Sequence, residues 1–295
     1  MWLSHLWKEY ELCDASDGER LEKWGKYTLV RPDPQVIWKG ERNDALWSHP
    51  DASYRRAKSG GGAWNENRLP ESWTISYGSL RFRIKPMGFK HTGLFPEQAT
   101  NWDWFSELIR ERVSKGKEVK VLNLFAYTGG ASVAAAAAGA KVCHVDAAKG
   151  MVAAAKENAA LSGLSDAPIR YIVDDCKKFI ERELRRGNRY DGIIMDPPSY
   201  GRGPTGEVWK LEESIDGFVA LTAGLLSEEP LFFLLNSYTT GLSAHAMKCV
   251  ADLRIGNRKG YRSEAEEIGL PVSKKDIVLP CGSSVRVTFD GEKNE

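Results

Sequence analysis

The sequence predicts an α/β fold: a mostly parallel sheet covered by helices on both faces, preceded by a smaller, mainly β domain. Three observations carry this. From Trp102 onward, apolar runs of strand length alternate with segments of helical length. Seven of the ten tryptophans fall at or before Trp73, among turn-rich stretches such as Arg31-Pro32-Asp33-Pro34 and Ser59-Gly60-Gly61-Gly62. At 295 residues the chain exceeds one compact domain, and the composition shift places the division at 1–95 and 96–295.

In the first part, Tyr27 to Val30, Gln35 to Trp38, Trp73 to Tyr77 and Leu80 to Lys85 are short and rich in β-branched and aromatic residues. They are expected as strands, with Pro32-Asp33-Pro34 connecting the first two. The crowded tryptophans are expected to fill the core of this small domain. An amphipathic helix follows from Trp102 to Val113, and the sheet begins with Val119 to Phe125. Further strands are expected at Lys141 to Val145, Ile169 to Val173, Tyr190 to Met195, Leu231 to Leu235, Glu264 to Leu270 and Val285 to Phe289. Helices are expected at 131–138, 149–162, 176–186, 208–227 and 242–253. Right-handed crossovers put these helices on both faces and any ligand at the strand C-termini.

Composition excludes several classes. Forty-one basic residues against forty acidic ones produce no global field for a polyanion, so any nucleic-acid contact is local. Five cysteines without a CxxC pair argue against a disulfide framework and a zinc site, and suggest a reducing, cytoplasmic setting. Met1 to Tyr10 lacks the features of a signal peptide, and no apolar run reaches bilayer-spanning length; neither secretion nor membrane insertion is expected.

The chemistry-bearing residues fall at successive strand ends. After the first sheet strand, Asn123-Leu124-Phe125-Ala126-Tyr127-Thr128-Gly129-Gly130-Ala131 lets backbone approach a ligand closely. Asp146 ends the second strand, where a carboxylate accepts hydrogen bonds from both hydroxyls of a ribose. Asp174 and Asp175 end the third, followed by Cys176; Asp175 is the preferred adenine ligand. The fourth ends in Asp196-Pro197-Pro198-Ser199-Tyr200, whose prolines hold the backbone extended and free its carbonyls for a substrate. Each feature alone is weak, but the order is specific.

On these residues, together with Gly93-Leu94-Phe95-Pro96-Glu97-Gln98, the chain resembles the class I S-adenosylmethionine-dependent methyltransferases from about Tyr27 to the C-terminus. It is more closely similar to the bacterial 23S ribosomal RNA methyltransferase family with a small β-rich N-terminal domain. The resemblance implies a Rossmann-like seven-stranded sheet with its last strand antiparallel and S-adenosylmethionine as cofactor. It implies that Phe125, Tyr127, Thr128 and Gly129 surround the methionine part, that Asp146 with Ala147 takes the ribose, and that Asp175 with Cys176 takes the adenine. Gln98 and Asn123 are further cofactor contacts by the same likeness, with Ala99 where relatives carry an arginine. Asp196 would lie near the sulfonium, with Pro197, Pro198 and Tyr200 completing the catalytic set.

Relatives that methylate pyrimidine carbon place a nucleophilic cysteine after the fourth or fifth strand. This chain has Pro197-Pro198 and Asn236-Ser237-Tyr238 there, so a nitrogen or oxygen acceptor without a cysteine adduct is expected. The expected substrate is RNA, ribosomal RNA first; a protein or small molecule is the alternative acceptor.

Plainer readings stand beside these. Tyr200 either stacks on a target base or packs its loop. Arg81, Arg83 and Lys85 share one face of a strand, where they contact phosphate or only solvent. The same holds for Tyr54-Arg55-Arg56-Ala57-Lys58 beside Trp64. Of the five histidines, His91 alone lies near a functional segment, and none is expected to bind metal. A dinucleotide-dependent oxidoreductase would share the sheet and Asp146, but Thr128-Gly129-Gly130 is not G-x-G-x-x-G. No Gly-Lys-Ser or Gly-Lys-Thr supports an NTPase. A non-catalytic RNA-binding scaffold of the same fold remains open.

Overall fold

The computed structural model describes all residues except 44, 58–60, 66–67, 89, 203–207 and 290–295. Lys58, Ser59 and Gly60, part of two sequence segments singled out above, therefore lie outside the described residues. The chain opens with a two-residue strand, β1 (Trp2–Leu3), and continues through β2 (Tyr10–Ser16), β3 (Glu19–Trp24), β4 (Tyr27–Pro32), β5 (Ala52–Arg56) and β6 (Gly62–Asn65). The last five form one sheet in chain order, antiparallel except where β4 runs parallel to β5. A two-residue Asp17-Gly18 turn, both residues at positive φ, joins β2 to β3. The hairpin of β7 (Trp73–Tyr77) and β8 (Leu80–Ile84) follows.

One expected strand is absent. Gln35 to Trp38 is irregular because the Asp33 carboxylate accepts the Gln35 N–H at 3.0 Å and folds the backbone into a turn. Val36 and Trp38 then offer carbonyls only to the β2–β3 turn, at Gly18 and Asp17. Strands β2 and β3 escaped the sequence reading because they bury charge. Glu22, with no exposed surface, accepts from Arg31 at 2.6 and 2.8 Å and from the Tyr10 hydroxyl at 2.8 Å. A buried acid paired in this way breaks the apolar alternation that marks a strand.

The second part runs α1 (Ala99–Ser114), β9 (Lys120–Leu124), α2 (Gly130–Ala137), β10 (Lys141–Asp146), α3 (Lys149–Leu161), β11 (Ile169–Val173), α4 (Cys176–Arg185) and β12 (Gly192–Met195). It continues with the hairpin β13 (Tyr200–Arg202) and β14 (Val208–Lys210), then α5 (Leu211–Ala223), β15 (Phe232–Ser237), α6 (Ala244–Ile255), β16 (Tyr261–Pro271) and β17 (Val278–Phe289). Residues 208–210 were expected to open a helix and instead pair with Tyr200–Arg202.

The main sheet has the order β1-β16-β17-β15-β12-β9-β10-β11. Strands β9 to β12 and β15 are parallel, and β17 runs antiparallel between β15 and β16. The seven-stranded unit is thus present, and β1 adds an eighth strand beside Ile268 and Gly269. The central strands are apolar throughout because both faces are covered: Ile193 to Met195 and Phe232 to Leu235 are at most 1% exposed.

Trp24, Phe82, Trp102 and Val121 belong to one continuous core shared by the N-terminal strands and the main sheet. Trp102 makes ring contacts with Trp7, Tyr77 and Phe82, so the tryptophans pack as expected. No helix among the described residues is long and apolar enough to cross a membrane.

Candidate active site

The site is built where strand C-termini meet loops. After β9 the backbone turns sharply: Phe125 and Tyr127 adopt φ of 55° and 50°, left-handed values unusual for large side chains. Asp146, ending the adjacent β10, holds this turn in place. Its Oδ2 accepts the Tyr127 N–H and its Oδ1 accepts the Ala148 N–H, both at 2.8 Å. Gly129 begins α2 at φ 84°, and an added Cβ would lie 2.6 Å from the Ala155 Cβ; no larger residue fits.

A cavity of about 1720 Å³ opens over this edge of the sheet. That exceeds the roughly 300–1,000 Å³ of an ordinary small-molecule site, so two reactants can share it. Asp146, Ala147, Val173, Asp175 and Cys176, at and after β10 and β11, line one end, and Trp209 and Phe218, in ring contact with Phe125, also line the cavity. The middle holds Phe125, Tyr127 and Asp196 to Ser199. At the other end stand Arg20, Asp33, Lys90, His91, Phe95 and Glu97 from the N-terminal half, with Tyr238 and Cys281 from beyond β15 and on β17.

Burial dominates the electrostatics. It pushes the Asp196 carboxyl up to about 7, with the nearby Glu97 charge adding to the shift. Glu97 is itself raised by burial, despite Arg20 at longer range. His91 is held down to about 4 by burial and then by Arg31 and Lys90, so its ring is neutral at pH 7. Burial lowers Lys90 to about 8. Both cavity cysteines are kept as thiols: Cys176 is raised to about 12, and Cys281 well above its usual range by burial and then Glu97.

The structure brings most of the expected residues together. Phe125, Tyr127, Asp146, Ala147, Asp175, Cys176, Asp196, Pro197 and Pro198 line the cavity. Gln98, Asn123 and Thr128 line a small adjoining pocket of about 50 Å³. Their polar ends are engaged: Gln98 Nε2 donates to the Tyr238 hydroxyl at 2.8 Å, Asn123 to Ser132 at 2.9 Å, and Thr128 to the Gly93 carbonyl at 2.5 Å. Gly129 backs on α3, outside both linings. Tyr200 is 52% exposed at the start of β13 and outside the cavity lining. Asp175 caps α4, accepting the Lys178 N–H at 2.9 Å. The Pro198 carbonyl accepts from the Trp209 indole at 2.6 Å.

Sequence reasoning gave no role to Glu97, Trp209, Phe218, Tyr238 or Cys281. Glu97 sits next to Gln98, and Tyr238 ends Asn236-Ser237-Tyr238, both in segments already singled out; Trp209, Phe218 and Cys281 reach the cavity from a separate hairpin, α5 and β17. The cations on and just after β8 are largely spoken for, since Arg83 pairs with Glu157 at 2.5 Å and Lys85, beyond its end, with Glu71 at 2.8 Å, while Arg81 is exposed. Among the described residues, no three His, Cys, Asp or Glu side chains are grouped to hold a metal.

Residues 48–209, more than half of the chain, match the family model described as S-adenosylmethionine-dependent methyltransferase. A curated relative, the ribosomal RNA large subunit methyltransferase K/L of Shewanella frigidimarina, is 35% identical over 204 residues. That match covers 65% of this chain but 26% of the relative, so the chain spans about a quarter of its length. A solved S-adenosylmethionine-dependent methyltransferase from Agrobacterium tumefaciens superimposes with a TM-score of 0.89 at 36% identity, over 98% of this chain and 93% of that one. A second solved structure, a putative methyltransferase from Streptococcus mutans, shares the fold at a TM-score of 0.74 and 20% identity, covering 96% and 75% of the two chains.

Proposed function

We propose, from the premise that the chain belongs to the S-adenosylmethionine-dependent methyltransferase family, that it methylates RNA, ribosomal RNA first, at nitrogen or oxygen and without a cysteine nucleophile. The cofactor fits the residues present. Each Asp146 oxygen is engaged by one backbone N–H and keeps a lone pair for a ribose hydroxyl. Val173, Phe218 and Trp209 offer an apolar slot beside Asp175 and Cys176 for adenine. Bound there, S-adenosylmethionine supplies an activated methyl group on a sulfonium.

The chain's own residues do the rest. Phe125 and Tyr127, fixed by Asp146, support the methionine part, with Gln98, Asn123, Thr128 and Gly129 behind them. Asp196 and Pro197 line the cavity, where they orient an acceptor. Pro198 stiffens this segment through Trp209, and Tyr200 at its rim is a candidate contact for substrate.

The observation that carries the reading is the single cavity joining a nucleoside-shaped end to a second, polar end walled by the N-terminal half. A division at 1–95 and 96–295 would let the first part, which supplies Arg20, Asp33, Lys90, His91 and Phe95 to that wall, recognise substrate, although the two parts share one core. RNA as the acceptor rests on the ribosomal RNA methyltransferase relative; the near-neutral net charge favours a small-molecule or protein acceptor instead. Mass spectrometry of modified nucleosides from cells with and without this protein decides between them. Loss of one methylated nucleoside from ribosomal RNA is expected, and an unchanged profile would remove the RNA reading.

A further inference from the structure

Glu97 is a buried carboxylate of the cavity that nothing above employs. It is 3% exposed and lines the cavity; the Tyr238 side chain hydrogen-bonds to its carboxyl, but Oε2 has no hydrogen-bond partner among the described residues. The neighbouring Arg20 guanidinium lies 3.4 Å from Glu22 and 3.5 Å from Asp33 and acts on Glu97 by charge, and its Nε has no hydrogen-bond partner among the described residues. Leaving a buried acceptor unpaired costs about 1–3 kcal/mol, and such an atom on a cavity wall marks where a ligand donor belongs.

Sheet order tells which ligand. Asp146 and Asp175 follow β10 and β11, on one side of the central Asp196 that follows β12. Glu97 lies on the other side, against Tyr238 beyond β15 and Cys281 on β17. It therefore faces the acceptor's half of the cavity, not the nucleoside's. Phe95 is in ring contact with His91, Tyr127 and Tyr238, at centroid separations of 5.4, 5.4 and 5.5 Å, which lines this half with aromatic surface suited to a planar ring.

We infer that Glu97 and Asp196 together form an acceptor subsite for a planar nitrogen heterocycle that presents adjacent N–H donors. The inference rests on the methyltransferase reading of the same cavity and adds to it a second carboxyl that touches substrate. Burial raises both carboxyls, and the Glu97 charge adds to the shift at Asp196, so the titration of Asp196 is coupled to Glu97. The ionised oxygen accepts from a ring or exocyclic N–H, while Gln98, from the adjoining pocket, donates to the Tyr238 hydroxyl beside it.

Calorimetry on the full chain loaded with S-adenosylhomocysteine tests this, with 2-aminobenzimidazole as the donor-bearing probe and benzoxazole, which has no N–H, as its control. The wild type should bind the first at least tenfold tighter than the second. Glu97→Gln should weaken 2-aminobenzimidazole tenfold or more and leave S-adenosylhomocysteine affinity within twofold, and Glu97→Asp should restore part of the loss. A melting temperature close to wild type checks that each variant is folded. Equal probe binding by wild type and Glu97→Gln, or a parallel loss of S-adenosylhomocysteine affinity, overturns the inference. A wild type that binds no S-adenosylhomocysteine defeats the reading of the site beneath it; binding of S-adenosylhomocysteine without discrimination between the probes defeats this step alone.

Discussion

Tyr127 gives its backbone N–H to Oδ2 of Asp146 at 2.8 Å, and this bond ties the left-handed turn after β9 to the end of the neighbouring strand. The acid thus has two duties, shaping the loop and offering its remaining lone pairs to a ligand. Asp146→Ala should remove both. S-adenosylhomocysteine affinity is expected to fall by on the order of 1.5–3 kcal/mol per charge-assisted hydrogen bond lost, roughly 10- to 150-fold for one. Asp146→Asn keeps the loop bond at one oxygen and should lose less. Calorimetry on both variants separates the duties, and wild-type affinity in Asp146→Ala would remove the ribose role.

Asp196 ties function to stability. Its carboxyl, raised from 3.8 to about 7, holds more protons in the folded than in the unfolded chain between those values. Its contribution to stability is therefore full below pH 4 and is lost as pH rises through about 7. Asp196→Asn removes that penalty, so the variant should be more stable than wild type at pH 8, on the order of 1–3 kcal/mol after screening by cavity water. Urea melts at pH 5 and pH 8 should show the gap opening with pH, while turnover falls further than cofactor affinity.

The opposite dependence is expected at Glu22. Burial alone would raise this acid, but Arg20 and then Arg31 overcome it and hold the carboxyl at about 2. Stability from the cluster is present above the ordinary glutamate range and lost as pH falls toward 2. Glu22→Leu leaves Arg31 buried without its partner and should cost about 3–5 kcal/mol. Chemical denaturation at pH 7 checks this, and a loss below 1 kcal/mol would show that Arg31 finds another acceptor.

How much of this was legible depended on where the signal lay. Strands β9, β10, β12 and β15 were readable because both-sided burial writes an apolar run, and Gly129, Asp146 and Asp196 stand at or beyond the ends of three of them. Strands β2 and β3 were not, since each buries an acid, Asp14 and Glu22, that looks like a surface residue in sequence. Gln35 to Trp38 had strand composition, but one side-chain bond from Asp33 outweighed it. Glu97, Tyr238 and Cys281 lie far apart along the chain and meet only because β17 inserts beside β15, which no local pattern records.

The same sheet order brings Cys281 and Cys176 to the cavity, and burial keeps both protonated. A thiol raised this far is a poor nucleophile toward a pyrimidine. Incubation with 5-fluoropyrimidine RNA and S-adenosylmethionine should therefore give no adduct that survives denaturation. A stable adduct lost in Cys281→Ser would reverse the assignment.

An added Cβ at Gly130 would come within 2.7 Å of the Trp102 ring, and that ring also packs on Trp7, Tyr77 and Phe82. Anyone hoping to retarget this scaffold by exchanging its first 95 residues for those of a cousin would find no clean seam. The graft has to carry the indole and its glycine with it, because the platform that greets the substrate and the turn that grips the cofactor rest on opposite sides of one side chain.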